Sequence, residues 1–411
     1  MKKNILVGQS GGPTAVINGS LYGVVAQAKE HKKDRIDHIY GMINGIEGFL
    51  KDRYMDMETD MSFEEFEALK TTPGAYLGSC RFKLPSDLND PVYARLFDKF
   101  NRMNIGYVLY IGGNDSMDTV SKLSRCAKAH NSDIRIIGIP KTIDNDLVCT
   151  DHTPGFGSAA RFVATSVREI GIDASIYDTN SVTIVEIMGR HAGWLTGAAV
   201  LARKHKKDNP VYIYLPEENF STEQFVEDIK KALEYRKNIV VCVSEGIHDA
   251  QGRFICEYEA AAGTDNFGHK MLAGCGKYLE NLIRIRLGIK VRSVELNVSQ
   301  RCSSVRQSKT DLDEAIEAGR FSVDSAMRGE SGKMAAFVRV SDMPYKMECG
   351  LVDVNDVCNK EKKVPLSWIT DHGTDISEDF IQYVLPLIQG SISLPEENGI
   401  PVFAYRREDF A

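Results

Sequence analysis

The 411 residues are 43% hydrophobic and 26% charged, ordinary for a water-soluble globular protein and enough for two or three domains with sizeable cores. A net charge of −7 argues against a nucleic-acid-binding surface, so an anionic ligand has to be met by a local cluster of cations. Nine cysteines without CxxC spacing read as buried thiols of a reducing cytoplasm, and nine histidines without HxxxH or HExxH spacing exclude the common zinc motifs.

The start, Met1-Lys2-Lys3-Asn4, meets only three apolar residues before Gly8, too few for a signal peptide. No apolar run approaches the ~18 residues of a membrane span, so a cytoplasmic location without membrane contact is expected. Asn4 to Val7 reads as a first strand, Gly8 to Thr14 as a glycine-rich loop, and Val16, Ile17, Leu21, Val24 and Val25 as one face of a helix. Strand, glycine loop and helix together present backbone N–H groups to an anion, although the same pattern makes a plain βα turn. The loop lacks a Walker lysine, which argues against a P-loop NTPase.

Ser62-Phe63-Glu64-Glu65 is a capping box opening a short helix that Thr72-Pro73-Gly74 closes. Arg81 follows in the small-residue loop Leu77-Gly78-Ser79-Cys80, where a guanidinium can fork onto phosphate or simply face water. Tyr107 to Ile111 reads as a buried strand ending in Gly112-Gly113-Asn114-Asp115-Ser116, whose Asn and Asp serve equally as helix caps or ligands. Ile134 to Ile139 is another buried strand, ended by Pro140, which brings no N–H to the ladder. Lys141, Thr142, Asp144 and Asp146 follow at its carboxyl end, where ligands bind in open α/β sheets.

Thr153 to Ala160 contains GxGxxA, but Leu147 to Thr153 is too polar to be the strand that a dinucleotide site requires. These glycines read as helix-start punctuation. Val182 to Ile187 is a strand delivering Met188-Gly189-Arg190, and Arg203 to Lys207 reads as a solvated helix end and loop. Val211 to Leu215 and Ile239 to Val243 are strands separated by a helix with a second capping box at Ser221 to Gln224, and the latter strand ends in Ser244-Glu245-Gly246. Met271 to Ile289 reads as a long amphipathic helix, Val291 to Val298 as a strand before Ser299-Gln300-Arg301, Asp311 to Ala326 as a helix and Lys333 to Val340 as a strand. A last helix near Glu378 to Leu385 is stopped by Pro386. The βαβα alternation calls for mostly parallel sheets covered by helices.

Polar or glycine-rich turns thus follow strand after strand. SGG at Ser10 to Gly12, GGND-S at Gly112 to Ser116, PKTIDND at Pro140 to Asp146, MGR at Met188 to Arg190, SEG at Ser244 to Gly246 and QR at Gln300-Arg301 stand in the order in which the phosphofructokinase family carries them. The chain resembles that family from about residue 3 to 305, with LGSCRF similar to the family's LGSARF. The resemblance implies two Rossmann-like three-layer α/β/α domains with mostly parallel sheets, the phosphofructokinase fold. It also implies Mg²⁺-dependent phosphoryl transfer to O1 of fructose 6-phosphate in a cleft between them.

On the same basis residues 1–150, completed by part of 302–345, are expected to bind the donor, 151–301 the sugar phosphate, and 346–411 to form a C-terminal extension. Asp144 matches the family's general base, with Lys141 and Arg190 completing the catalytic set. Thr142, Ile143, Asp144, Met188, Gly189, Arg190, Glu245, Arg292 and Arg301 match substrate contacts, Arg292 reaching from a neighbouring subunit of a homodimer or homotetramer. Gly12 and Arg81 match donor-phosphate contacts.

ATP-using members carry glycine at both Asp115 and Lys141. A carboxylate at 115 fills the space of an α-phosphate and repels it, by about 4 kcal/mol for unit charges ~4 Å apart at an effective dielectric of ~20. That approaches thousandfold discrimination. Lys141 supplies charge for inorganic diphosphate and its departing phosphate. The Asp115/Lys141 pair resembles the diphosphate-dependent branch. Asn114 stands where the family has a magnesium-binding aspartate, so the metal set is expected among Asn114, Asp115 and Asp146. Val298 and Ser181 replace a phosphate-binding His or Tyr and an Arg, and Tyr22 replaces the allosteric arginine of bacterial ATP enzymes. An ATP-dependent 6-phosphofructokinase, a sedoheptulose 7-phosphate kinase and a non-catalytic sugar-phosphate-sensing subunit are the rival readings. Intact Asp144, Lys141 and Arg190 weigh against the last.

Overall fold

The short apolar runs become strands buried on both faces, as parallel strands under two helical layers must be. The computed structural model describes residues 2–258 and 274–406. Five strands come first: β1 (Lys3–Gln9), β2 (Ile36–Met42), β3 (Tyr54–Asp56), β4 (Ile105–Gly112) and β5 (Arg135–Pro140). Then come β6 (Ser181–Ile187), β7 (Tyr212–Tyr214), β8 (Asn238–Ser244) and β9 (Lys290–Glu295), and finally the hairpin β10 (Lys333–Asp342) and β11 (Tyr345–Asp353).

β10 returns to the first sheet beside β5, pairing Lys333 with Ile137. That sheet runs β11-β10-β5-β4-β1-β2-β3, parallel throughout except at its edges β11 and β3. The second sheet runs β7-β8-β6-β9 and is wholly parallel.

Side-chain alternation along each strand feeds two cores. Ile5, Val7, Leu109, Ile111, Ile137 and Ile139 face helices Ile17–Glu30 and Lys309–Met327. Leu6, Val108, Tyr110 and Ile136 face helices Pro91–Arg102 and Asn114–Ala129. In the second sheet Val185, Ile187, Val240 and Cys242 pack toward helix Phe156–Ala174, while Ile184, Val241 and Val243 pack toward helices Thr222–Leu233 and Cys275–Leu287. The tail is part of this core: Val364, Ile376, Phe380, Val384 and Leu387 are buried against the second sheet's helices.

Most of the local signals hold. The Ser62–Glu65 capping box makes both of its reciprocal bonds. At Ser221 only half forms: Ser221 Oγ accepts from Gln224 N at 3.2 Å, while the Gln224 amide goes to Asp228. The GxGxxA glycines do open a helix, and its cap comes from far away. Buried Asp311 accepts from the N–H groups of Gly155 (2.9 Å) and Ser158 (2.8 Å). Its acid is pushed up to about 6 by burial.

Other expectations need correction. Arg203 is not solvated: its guanidinium meets Asp375 at 2.6 Å and donates to the carbonyls of Pro210 and Val211, while Lys204 to Lys207 face water. The helix expected from Met271 begins at Cys275 and ends at Leu287, and residues 271–273 lie outside the described residues. The strand expected to reach Val298 stops at Glu295, because Asn297 turns into left-handed backbone (φ 41°). Cys149 and Cys302 are exposed, unlike the buried thiols expected. The last helix does run as expected, Glu378–Val384, and before Pro386 it gives way to a 3₁₀ turn over Leu385–Ile388.

Candidate active site

β1 sends its chain to β2 on one side, while β4 flanks it on the other, so a crevice opens outside their carboxyl ends. The loops after β1, β4 and β5 meet those after β6 and β8 around a cleft of about 520 Å³. Gly12, Arg81, Asp115, Lys141, Thr142, Ile143, Asp144 and Asp146 line it from the first sheet. Met188, Gly189, Arg190, Glu245 and Arg301 line it from the second.

The glycine loop after β1 is fixed from outside. Ser79 Oγ donates to the Gly11 carbonyl at 2.7 Å, and Lys141 Nζ donates to the Gly12 carbonyl at 2.6 Å. Gly11 has φ 80°, which favours glycine, and a Cβ there would crowd Lys141 Nζ at 3.3 Å.

Lys141 is 2% exposed, and the partner its ammonium meets among the described residues is the Gly12 carbonyl. Burial holds its pKa down to about 8, opposed by the charges of Asp144 and Asp146. Its backbone N–H continues the β5 ladder onto the Gly112 carbonyl (3.0 Å), which fixes where the side chain starts.

Asp144 sits two residues past the Thr142 hydroxyl, which accepts its backbone N–H at 3.1 Å and lies 3.4 Å from Oδ2. Burial pushes the Asp144 acid up, and Lys141 chiefly opposes the rise. Asp146 is pushed up to about 6, first by burial and then by the neighbouring Asp144 charge. The cleft thus holds a recessed carboxylate beside a recessed ammonium, the pairing that proton acceptance and anion stabilisation need.

On the other wall the MGR turn depends on Gly189, whose φ of 131° no side-chain-bearing residue adopts comfortably. A Cβ there would lie 2.5 Å from the Ala192 carbonyl oxygen. Ser244 Oγ donates to the Gly189 carbonyl at 2.6 Å, and Gln300 Oε1 accepts from Met188 N at 3.2 Å. Glu245 Oε1 accepts from Gly189 N at 3.4 Å, and burial raises its acid. Arg190 is exposed at the mouth. Arg301 reaches to within 3.6 Å of where a Gly12 Cβ would stand, so it spans from the second wall to the glycine loop.

Two residues of the expected set lie outside this chain's own cleft, as Arg292 must if it serves a neighbouring subunit. Asn114 does not line the cleft: its Nδ2 donates to the Lys360 carbonyl (2.6 Å) and its Oδ1 accepts from Asn359 N (2.5 Å), so both ends of the amide are spent on the C-terminal segment. A carbonyl already taken up in this way is a poor candidate for a metal. Arg292 is exposed on the edge strand β9, 3.5 Å from Asp173 and away from the cleft. Asp115 is 75% exposed and paired with Lys83 at 2.9 Å. Neither Asn114 nor Asp115 caps its helix, whose N-cap is Gly113.

Among the described residues no cluster of three or more His, Cys, Asp or Glu is arranged to hold a metal ion. A magnesium ion bound by one or two carboxylates, waters and substrate phosphates needs no such cage. Asp146 and Asp115 fit that mode.

Sequence reasoning missed Lys83 and set His191 aside, although His191 lines the cleft. Lys83 had a signal, being two residues beyond Arg81 in the same loop.

Residues 4–321 match the family model described as "Phosphofructokinase". The chain is 40% identical over 404 residues to the pyrophosphate--fructose 6-phosphate 1-phosphotransferase of Xanthomonas campestris pv. campestris, covering 97% of this chain and 95% of that protein. It is 39% identical over 402 residues to the protein of the same name from Methylococcus capsulatus, covering 97% and 94%. The solved pyrophosphate-dependent phosphofructokinase of Nitrosospira multiformis superposes with a TM-score of 0.89 at 34% identity, over 98% of this chain and 96% of that one. Matches of that extent, on a chain whose motifs converge on one cleft, leave a single assignment: the chain belongs to the phosphofructokinase family.

Proposed function

We propose that this cleft transfers a phosphoryl group reversibly from inorganic diphosphate to O1 of fructose 6-phosphate, giving fructose 1,6-bisphosphate and phosphate. The observation that carries the reading is the buried Lys141 ammonium, held against the Gly12 carbonyl in the same recess as Asp144. The names of the relatives from Xanthomonas and Methylococcus support the donor and the acceptor.

In this reading Asp144 accepts the proton of the sugar O1 hydroxyl as that oxygen attacks the terminal phosphorus. The bond from that phosphorus to the bridging oxygen breaks, and its electron pair leaves on phosphate. Lys141 neutralises the departing charge, with Gly12, Arg81 and Asp115 on the donor side. The proton left on Asp144 passes to water after release. Thr142, Ile143, Met188, Gly189, Arg190, Glu245 and Arg301 hold the sugar phosphate. Family members generally use Mg²⁺, which here would be held by Asp146 and Asp115 and would offset diphosphate charge.

The division of labour follows the sheets: residues 1–150 with part of 302–345 bind diphosphate, and 151–301 bind the sugar phosphate. A homodimer or homotetramer fits the exposed Ile172, Ile176, Tyr177 and Ile285 near the open edge β9 and Arg292. A cytoplasmic location fits the chemistry, and no helix among the described residues is long and apolar enough to cross a membrane.

The test is a ³¹P NMR time course with fructose 6-phosphate, diphosphate and Mg²⁺. One phosphate should appear for each fructose 1,6-bisphosphate formed, and phosphate release without the bisphosphate would refute the transfer. The pH dependence carries a second expectation. Lys141 must be protonated to receive the donor, and its pKa is lowered, so kcat/KM for diphosphate should fall on the alkaline side above about 8. Bound diphosphate favours the ammonium, so the same limb in kcat should lie higher. A kcat/KM profile flat well beyond that value would contradict the role.

A further inference from the structure

The C-terminal segment makes contacts that the reaction scheme above leaves without a task. Asn145 lies between Asp144 and Asp146, fully buried, with left-handed backbone at φ 53°. Asparagine adopts that conformation more readily than other residues with a Cβ, and here its side chain is held as well. Both holders come from the tail. Asn145 Nδ2 donates to the Tyr383 hydroxyl at 2.9 Å, and Asn145 Oδ1 faces Lys362 Nζ at 3.5 Å.

The two holders also share a floor. Lys362 Nζ donates to the carbonyls of Asp151 (2.6 Å) and Thr150 (3.2 Å), and the Tyr383 hydroxyl donates to the same Asp151 carbonyl at 2.6 Å. Lys362 N donates to the Asp146 carbonyl at 2.7 Å, and the Lys362 carbonyl accepts from Trp194 Nε1 at 2.9 Å. The segment therefore fastens the loop from 145 to 151 to the second sheet's aromatic core. Two residues earlier it grips Asn114 at the end of β4.

We infer that Lys362 and Tyr383 are positioning residues that fix the Asp144–Asp146 loop for phosphoryl transfer without touching either substrate. The inference rests on the functional reading above. A base displaced by about 1 Å loses on the order of a hundredfold in rate while the substrate-binding groups stay where they are. Binding should therefore survive what turnover does not.

The test uses the full chain carrying Tyr383→Phe, which removes only a hydroxyl, and Lys362→Met, which keeps the aliphatic stem over Trp194 and removes the ammonium. Each should lower kcat at least tenfold with KM for fructose 6-phosphate and diphosphate within about threefold, and the double variant should fall by less than the product of the two. Amide hydrogen exchange at residues 144–151 should quicken in both variants, whatever the donor. Folded variants with kcat within twofold of the parent, or with losses confined to KM, would overturn the inference. If Lys362→Met does not fold, Tyr383→Phe decides. A parent inactive with diphosphate would refute the functional reading alone, and unchanged exchange at 144–151 would then overturn the positioning role.

Discussion

Replacing Asp144 by serine should lower turnover by roughly 10²–10⁴, the range that a positioned general base contributes, while fructose 6-phosphate binding stays detectable. Asp144 lies at the end of a fixed path: the β5 ladder carried onto Gly112, the Thr142 hydroxyl that receives its N–H, and an Asn145 amide held at both ends. Serine keeps a small polar group there and takes away the proton acceptor. The substitution also removes the largest charge raising the pKa of Lys141, so the alkaline limb of kcat/KM should move below about 8. Steady-state kinetics with calorimetric titration of fructose 6-phosphate checks both effects. Near-normal turnover, or a limb that does not move, would remove Asp144 as the base.

The second large effect concerns the donor. Asp115→Gly combined with Lys141→Gly should cut diphosphate turnover by roughly 10²–10³, the scale of losing one charge-stabilising group, and should gain measurable use of ATP. The structure revises the size of the gain. Asp115 is 75% exposed and paired with Lys83, so its repulsion of an α-phosphate is screened toward the aqueous limit of about 1 kcal/mol at ~4 Å. Electrostatics at 115 alone then gives several-fold discrimination, well short of a thousandfold. In the proposed scheme the bulk of the Asp115 side chain and the volume filled by buried Lys141 supply the rest. Initial rates with each donor decide it, and complete absence of ATP use in a folded double variant would move donor choice to other positions.

Much of the cleft was legible because its residues follow strands. Short apolar runs such as Ile134–Ile139 have one physical reading when glycine or proline closes them, and the polar residues after them land at one end of a sheet. What escaped depends on partners distant in the chain. Nothing near Gly155 announces that Asp311 caps its helix, and nothing near Arg203 announces Asp375. The partners of Asn114 were hidden for the same reason: the resemblance implies a metal-binding position, and the amide bonds Asn359 and Lys360 from the far end of the chain. Arg292, expected to act from a neighbouring subunit, stands on a strand whose edge position only the pairing order β7-β8-β6-β9 reveals. The tail lacked any local signal for its grip on Asn145, since Lys362 stands in a loop and Tyr383 on the helix Glu378–Val384, brought together by the packing of Val364, Phe380 and Val384.

Comparing donors with the unmodified chain tests the account most directly. Fructose 6-phosphate turnover should be measured with Mg²⁺ at matched concentrations of diphosphate and ATP. A kcat/KM at least a hundredfold higher for diphosphate is the expected result if the buried Lys141 and the Asp115 side chain select the donor as proposed. Equal rates with the two donors, or turnover with ATP only, would contradict it.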